Sequence, residues 1–209
     1  MCAVARSGGS GRITRALVKK ASKKRAHSNR DHVAGRGRNA LVEARGDNES
    51  NNQEKYREMK SIPIDQRLAA KRSHIHGWGL FTKRDLNKHS MIIEYMGEAI
   101  RQRVADKREQ AYETSGVGSC YMFRLDLNRI VDATMIGCMA RFMNHCCQPN
   151  AYAKIISVNI DQGIDKKIVI FANRCIDAGE EITYDYKFPV EDGSLKCTCG
   201  APNCIGRMN

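Results

Sequence analysis

Three cysteines fall within eight residues near the end of the chain, Cys197-Thr198-Cys199-Gly200-Ala201-Pro202-Asn203-Cys204. Gly200 and Pro202 stop that stretch from continuing as a helix or strand, so it reads as a tight turn that gathers thiols. A structural zinc takes four ligands in a tetrahedron. The turn is one ligand short, and a distant part of the chain has to return to it. Cys120, Cys138, Cys146, Cys147 and Cys175 are the candidates. The plain alternative is three unliganded thiols. The start, Met1 to Ser10, has no apolar signal-peptide core, and in such a chain thiols or metal ligands are expected rather than disulfides.

The length of 209 residues fits one domain of ordinary size plus a tail. Charge divides the two. Residues 1–60 hold 15 Lys or Arg against 6 Asp or Glu, a net +9, whereas residues 61–209 hold 20 against 17, a net +3. Tyr56 is the one aromatic of the first sixty residues. Such a stretch buries too little apolar surface to offset its ordering entropy, so residues 1–66 are expected to be a basic, disordered tail. A basic arm suits DNA or another polyanion, the plain alternative being a solvated tail. The cluster Lys19, Lys20, Lys23, Lys24, Arg25 reads as a nuclear localisation signal, although the acid-free first thirty residues also fit an organelle transit peptide. No run of about 18 apolar residues exists, so no transmembrane helix is expected.

Beyond the tail, short β-rich pieces alternate with turns. A short helical stretch is expected over residues 65–70. Strands are expected at Leu80–Thr82, Met91–Tyr95 and Ile182–Tyr186, with hairpins pairing 121–125 with 130–131 and 152–158 with 167–172. The second hairpin is joined by a polar loop over residues 159–165. Ile100, Val104, Lys107, Arg108 and Ala111 recur at helical spacing, ending near Gly116. The fold class is mostly β with short helices and non-local pairings.

Three further clusters carry chemistry. His76-Gly77-Trp78-Gly79-Leu80 sets two glycines around an aromatic, which lets the backbone turn tightly and approach a ligand, or simply makes a β-turn. Arg141-Phe142-Met143-Asn144-His145-Cys146-Cys147-Gln148-Pro149-Asn150 brings polar groups to one point before a helix-breaking proline, or is a loop with a capping Asn and a core His. In Glu180-Glu181-Ile182-Thr183-Tyr184-Asp185-Tyr186 the two tyrosines fall on one face of a strand, where they line a wall or merely pack.

These motifs, in this order, resemble the SET domain with its post-SET zinc turn, over about residues 67–209. Gly118–Arg124, Val131–Thr134 and Tyr186–Asp192 are similar to the COMPASS/trithorax branch, the histone H3 lysine-4 methyltransferases, and the paired Cys146-Cys147 is more like the yeast-type enzymes of that branch. The resemblance implies small curved sheets with a knot-like C-terminal threading that carries residues 144–150 beside the strand of Tyr184 and Tyr186. It divides the chain into the tail (1–66), a SET catalytic domain (67–187) and a post-SET zinc-binding segment (188–209). It implies Cys147 as the fourth zinc ligand beside Cys197, Cys199 and Cys204. It implies S-adenosylmethionine contacts from His76, Trp78, Tyr121, Asn144, His145 and Thr198, and a catalytic set of Tyr186, Tyr184 and Tyr121, with Tyr95 helping to line the lysine channel. The implied substrate is the histone H3 tail in the nucleosome, with COMPASS-type core subunits as partners, in the nucleus on chromosomes.

Some residues depart from the family pattern. Ala151 stands where close relatives carry Cys, and the 159–165 loop looks longer than usual. No clear copy of the Arg-containing motif for the WD-repeat subunit is visible, Gly35–Arg38 and Val42–Arg45 being poor matches. The family's usual large N-terminal regions are not among these 209 residues. Other readings are a catalytically weak zinc-stabilised chromatin-binding module, a methyltransferase with a different histone or non-histone target, and a basic nucleic-acid-binding protein with a zinc knuckle. The last leaves the tyrosine strand unexplained.

Overall fold

Short strands dominate the chain, as their β-branched and aromatic residues require, and they pair across long sequence separations. The computed structural model describes residues 43–117, 120–187 and 196–208. In chain order the elements are α1 (Glu43–Ser61), α2 (Ile64–Arg67), β1 (Leu68–Arg72), β2 (Trp78–Thr82), β3 (Met91–Glu94), β4 (Gly97–Arg101) and α3 (Gln102–Thr114). There follow β5 (Met122–Arg124), β6 (Arg129–Gly137), a 3-10 turn (Met139–Phe142), β7 (Asn144–His145), β8 (Ala151–Ile160), β9 (Gly163–Ala172) and β10 (Glu181–Tyr184).

The strands form three small sheets, ordered β1-β2-β10-β7, β3-β9-β8 and β4-β6-β5. Every pairing is antiparallel except β10 with β7, which run parallel with Thr183 opposite Asn144 and Tyr184 opposite His145. Leu80, Ile92, Ile168, Ile170, Ile176 and Ile182 lie at the heart of a main core shared by the sheets. Period-two alternation gives β9 two buried faces. Ile168, Ile170 and Ala172 enter the main core, while Val169 and Phe171 join a second cluster with Ile156, Val158, Met91 and Met59 of α1.

That second cluster corrects the expected extent of the tail. Residues 43–61 are helical. The segment holds four Glu, two Lys and two Arg, which are good helix formers, and its apolar stripe is narrow, so composition hides it. Three anchors fix it. Met59 is buried, Tyr56 Oη donates to Glu94 Oε2 at 2.7 Å, and the Gln53 amide exchanges two hydrogen bonds with the backbone of Asn159. The rest of the expected tail, residues 1–42, lies outside the described residues.

Other boundaries shift too. Residues 68–72 pair with β2 as a strand instead of extending the short helix. Ile100 belongs to β4, opposite Ile130, and the helix begins after it. The expected 159–165 loop is mostly ladder: Asn159 pairs with Ile164 and Ile160 with Gly163, and Gly163 takes φ +117° to close the turn. The last strand ends at Tyr184, and Lys187 at φ +52° turns the chain away. Among the described residues no helix is long and apolar enough to cross a membrane.

Candidate active site and metal centre

The parallel meeting of β7 and β10 is the frame of the site. Asn150 fastens it from one end. Its Nδ2 donates to Glu181 O (2.8 Å) and Glu180 Oε1 (2.9 Å), and its Oδ1 accepts from Thr183 N (2.8 Å). Cys146 N donates to Tyr184 O at 3.2 Å. The segment 144–150 and the tyrosine strand are therefore held side by side, which accounts for a site built from residues about forty apart.

Asn144 is buried, and its Nδ2 faces three acceptors: Glu181 Oε1 at 2.7 Å, Trp78 O at 3.0 Å and His76 O at 3.2 Å. The turn from Ser73 to Gly79 brings those carbonyls in. Gly77 makes the turn with φ +48°, a conformation that costs glycine little. The side chains of His76 and Trp78 stay exposed, so both residues present backbone to the site. Thr198 Oγ1 donates to Ile75 O at 3.0 Å, which lays the C-terminal turn on the same loop.

Four tyrosines and a phenylalanine form the adjoining wall. The Tyr184 and Tyr186 ring centroids are 4.9 Å apart, and Tyr95 and Phe123 are 5.5 Å apart. Tyr186 Oη donates to Met143 O at 2.8 Å. Burial pushes the phenol pKa values of Tyr95, Tyr184 and Tyr186 up, and Tyr184, Tyr186 and Tyr121 reinforce the shift at Tyr95. All of these hydroxyls therefore keep their protons near neutrality. Tyr121 sits under Arg141, whose guanidinium carbon is 5.8 Å from the ring centroid and whose Nη1 donates to Ala133 O and Thr134 O.

The thiols of Cys147, Cys197, Cys199 and Cys204 lie with all their sulfurs within 4.8 Å of one another. Cys120, Cys138, Cys146 and Cys175, the other described cysteines, fall outside this group. Four converging thiols fit a tetrahedral structural site for a soft cation such as zinc. Burial opposes ionisation of Cys199, yet the backbone N–H groups of Cys147 and Ala201 and the thiols of Cys197 and Cys204 outweigh it and bring its pKa down to about 6.

The structure thus gathers His76, Trp78, Asn144 and Thr198 around one turn and Tyr121, Tyr184 and Tyr186 on the neighbouring wall, with His145 between Tyr186 and the thiol of Cys147. The sequence reading assigned no role to Glu181, Ser73 or Arg141. Glu181 is held by Ser73 Oγ at 2.8 Å and itself holds Asn144. Gly79 makes room for it: a Cβ on Gly79 would come within 2.7 Å of Glu181 Cδ. That pairing of a small residue with a carboxylate spans a hundred positions, and no local pattern signals it.

A sheet arrangement of this kind, with an Asn-His strand parallel to a tyrosine strand, defines a class, and the SET domain family model matches residues 77–187, more than half of the chain. The chain belongs to the SET domain family. It is 51% identical over 144 residues to histone-lysine N-methyltransferase set1 of Dictyostelium discoideum, covering 69% of this chain and 9% of that protein. It is 52% identical over 138 residues to histone-lysine N-methyltransferase set-2 of Caenorhabditis elegans (66% and 9%) and 50% identical over 158 residues to histone-lysine N-methyltransferase SETD1B of Homo sapiens (76% and 8%). The chain spans under a tenth of the length of each of these relatives.

Proposed function

We propose that this chain methylates a protein lysine, lysine 4 of histone H3 in chromatin, with S-adenosylmethionine as methyl donor and a structural zinc at Cys147, Cys197, Cys199 and Cys204. The observation that carries the reading is the tyrosine wall of Tyr95, Tyr121, Tyr184 and Tyr186 set directly against the Asn144-His145 strand. When bound, S-adenosylmethionine supplies an electrophilic methyl group on a sulfonium.

The chain's own residues do the rest. A free lysine has a pKa of about 10.4, so only about one in a thousand is neutral at pH 7.4. Packed aromatic walls desolvate the ammonium and favour the neutral nucleophile. Protonated phenols can accept or donate a hydrogen bond to the amine without taking a charge themselves, and Tyr186, tied through its hydroxyl to Met143 O, is fixed in direction. Alignment of nitrogen, carbon and sulfur supplies much of the remaining acceleration. Asn144, the carbonyls of His76 and Trp78, His145, Tyr121 and Thr198 are the groups assigned to the cofactor.

By the same reading the protein is nuclear, is weak alone and is stimulated by COMPASS-type core subunits, which select an active arrangement that is only fractionally populated without them. Its basic N-terminal residues add a salt-sensitive contact to nucleosomal DNA. The test is methylation of a panel of histones by the purified chain, with and without core subunits, mapped by mass spectrometry. Methyl transfer to histone H3 at lysine 4 is expected. No transfer to any histone under either condition would overturn the reading.

A further inference from the structure

His145 stands between the metal centre and Tyr186, and its two ring nitrogens have different partners. Nδ1 lies 3.3 Å from the Tyr186 backbone N–H, which donates to it. Nε2 lies 3.6 Å from Cys147 Sγ. The carboxylate of Asp185 also faces Nδ1, but at 3.7 Å, too far for a hydrogen bond, and its side chain is 44% exposed. A nitrogen that accepts from a backbone N–H carries no proton of its own, so the neutral ring carries its hydrogen on Nε2. That hydrogen has Cys147 Sγ as its acceptor. The ring is buried, 5% exposed, and meets the Tyr186 ring edge-on at 5.4 Å between centroids.

We propose that His145 is a positioning residue that couples the metal site to the catalytic wall: Nε2–H donates to the Cys147 thiolate while Nδ1 fixes the backbone of Tyr186. The proposal rests on the reading of the four thiols as a zinc site and of Tyr186 as the residue facing the reacting methyl group. A hydrogen bond to a metal-bound thiolate draws charge from the sulfur and fixes its direction, as partners beyond the direct ligands do at other metal sites. The same ring then limits where Tyr186 can sit, and its hydroxyl is held separately by Met143 O. The one imidazole thus serves both sites, and a change at either nitrogen has a separate signature.

Substitutions can divide the two roles in the full chain. The amide of His145→Gln reaches the place of Nε2, and that of His145→Asn the place of Nδ1, while His145→Phe fills the space with neither. Zinc release to a chelator and the thiolate-to-metal charge-transfer band of the cobalt-substituted protein read the Cys147 contact without reference to activity. Steady-state methyl transfer reads the Tyr186 contact. Expected for His145→Phe is zinc affinity lowered roughly 10- to 100-fold, a shifted charge-transfer band, and a fall in kcat larger than any rise in KM for the cofactor. His145→Gln should recover zinc retention and the band but not kcat, whereas His145→Asn should recover part of the kcat lost in His145→Phe but neither zinc retention nor the band. If wild-type chain holds no zinc, or transfers no methyl either alone or with core subunits, the underlying reading fails. If it does both, and the soluble Gln and Asn variants match wild type or each other in all three measurements, the coupling through His145 is refuted. A Phe variant that does not fold leaves that comparison intact.

Discussion

Replacing Gly79 with alanine should damage the site through a residue a hundred positions away. The added Cβ would meet Glu181 Oε1 and Cδ, the latter at 2.7 Å, and sit 3.0 Å from Ser73 Cβ. Glu181 must then swing out, losing its bonds from Asn144 Nδ2 (2.7 Å) and Ser73 Oγ (2.8 Å). Hydrogen bonds to a charged group are worth about 1.5–3 kcal/mol each when buried. Glu181 is only half-buried, so solvent reduces the joint loss to about 1–2 kcal/mol. Asn144 loses its anchor, and cofactor affinity should fall roughly 5- to 30-fold, the equivalent of that energy. A double-mutant cycle with Gly79→Ala and Glu181→Ala isolates the cause. Calorimetric titration with S-adenosylmethionine, alongside urea unfolding, gives both quantities. Either single change should weaken binding, and adding Gly79→Ala to Glu181→Ala should cost little more. Full additivity would show that Gly79 acts through something other than the carboxylate.

On the proposed role of its hydroxyl in the transition state, Tyr186→Phe should lower turnover more than cofactor affinity. Tyr184→Phe should instead keep the first transfer and raise di- and trimethylated product, as mass spectrometry of the products would show; equal losses in both, tracking thermal stability, would contradict the division of roles. Stripping the four-thiol site with a chelator should loosen residues 196–208 and weaken cofactor binding, seen as faster amide exchange there and a lower affinity, both reversed by zinc. Asp165, salt-bridged to Arg129 and Lys167, has its pKa held down at about 2. Its folded pKa is below the unfolded value of about 3.9. Its contribution is therefore complete above about pH 4 and is lost as pH falls toward 2. Urea midpoints measured over that range should fall less steeply in Asp165→Asn than in wild type.

The chemistry of this site was more legible than its architecture. Cys147, Asn144, Tyr184 and Tyr186 lie in short motifs that each also had a plain reading, and only the order of those motifs, through its resemblance to a family, singled them out, whereas β2, β3 and the hairpin of 152–158 with 167–172 show in their apolar runs. What escaped depends on distant partners. Nothing local marks residues 43–61 as ordered, because Met59 and Tyr56 are stabilised by Phe171, Val169 and Glu94. Residues 159–165 look like a polar loop, since a ladder at the tip of a hairpin needs backbone pairing and not apolar side chains. Ile100 fits the helical spacing of α3, and only its pairing with Ile130 puts it in a strand. Glu181 reads as one more charged residue until Gly79 and Asn144 are brought to it.

The sheet that carries the site has its latest strand in the middle. β10 lies between β2, about one hundred residues before it, and β7, about forty residues before it. Until residues 181–184 insert, two open edges face each other with unpaired backbone groups, and no earlier strand can close the gap. Contacts of such long sequence separation form slowly, because loop entropy must be lost before they contribute. Refolding should therefore show a late phase in which the site appears all at once. During that interval the exposed edges are the surfaces most prone to pair with another chain.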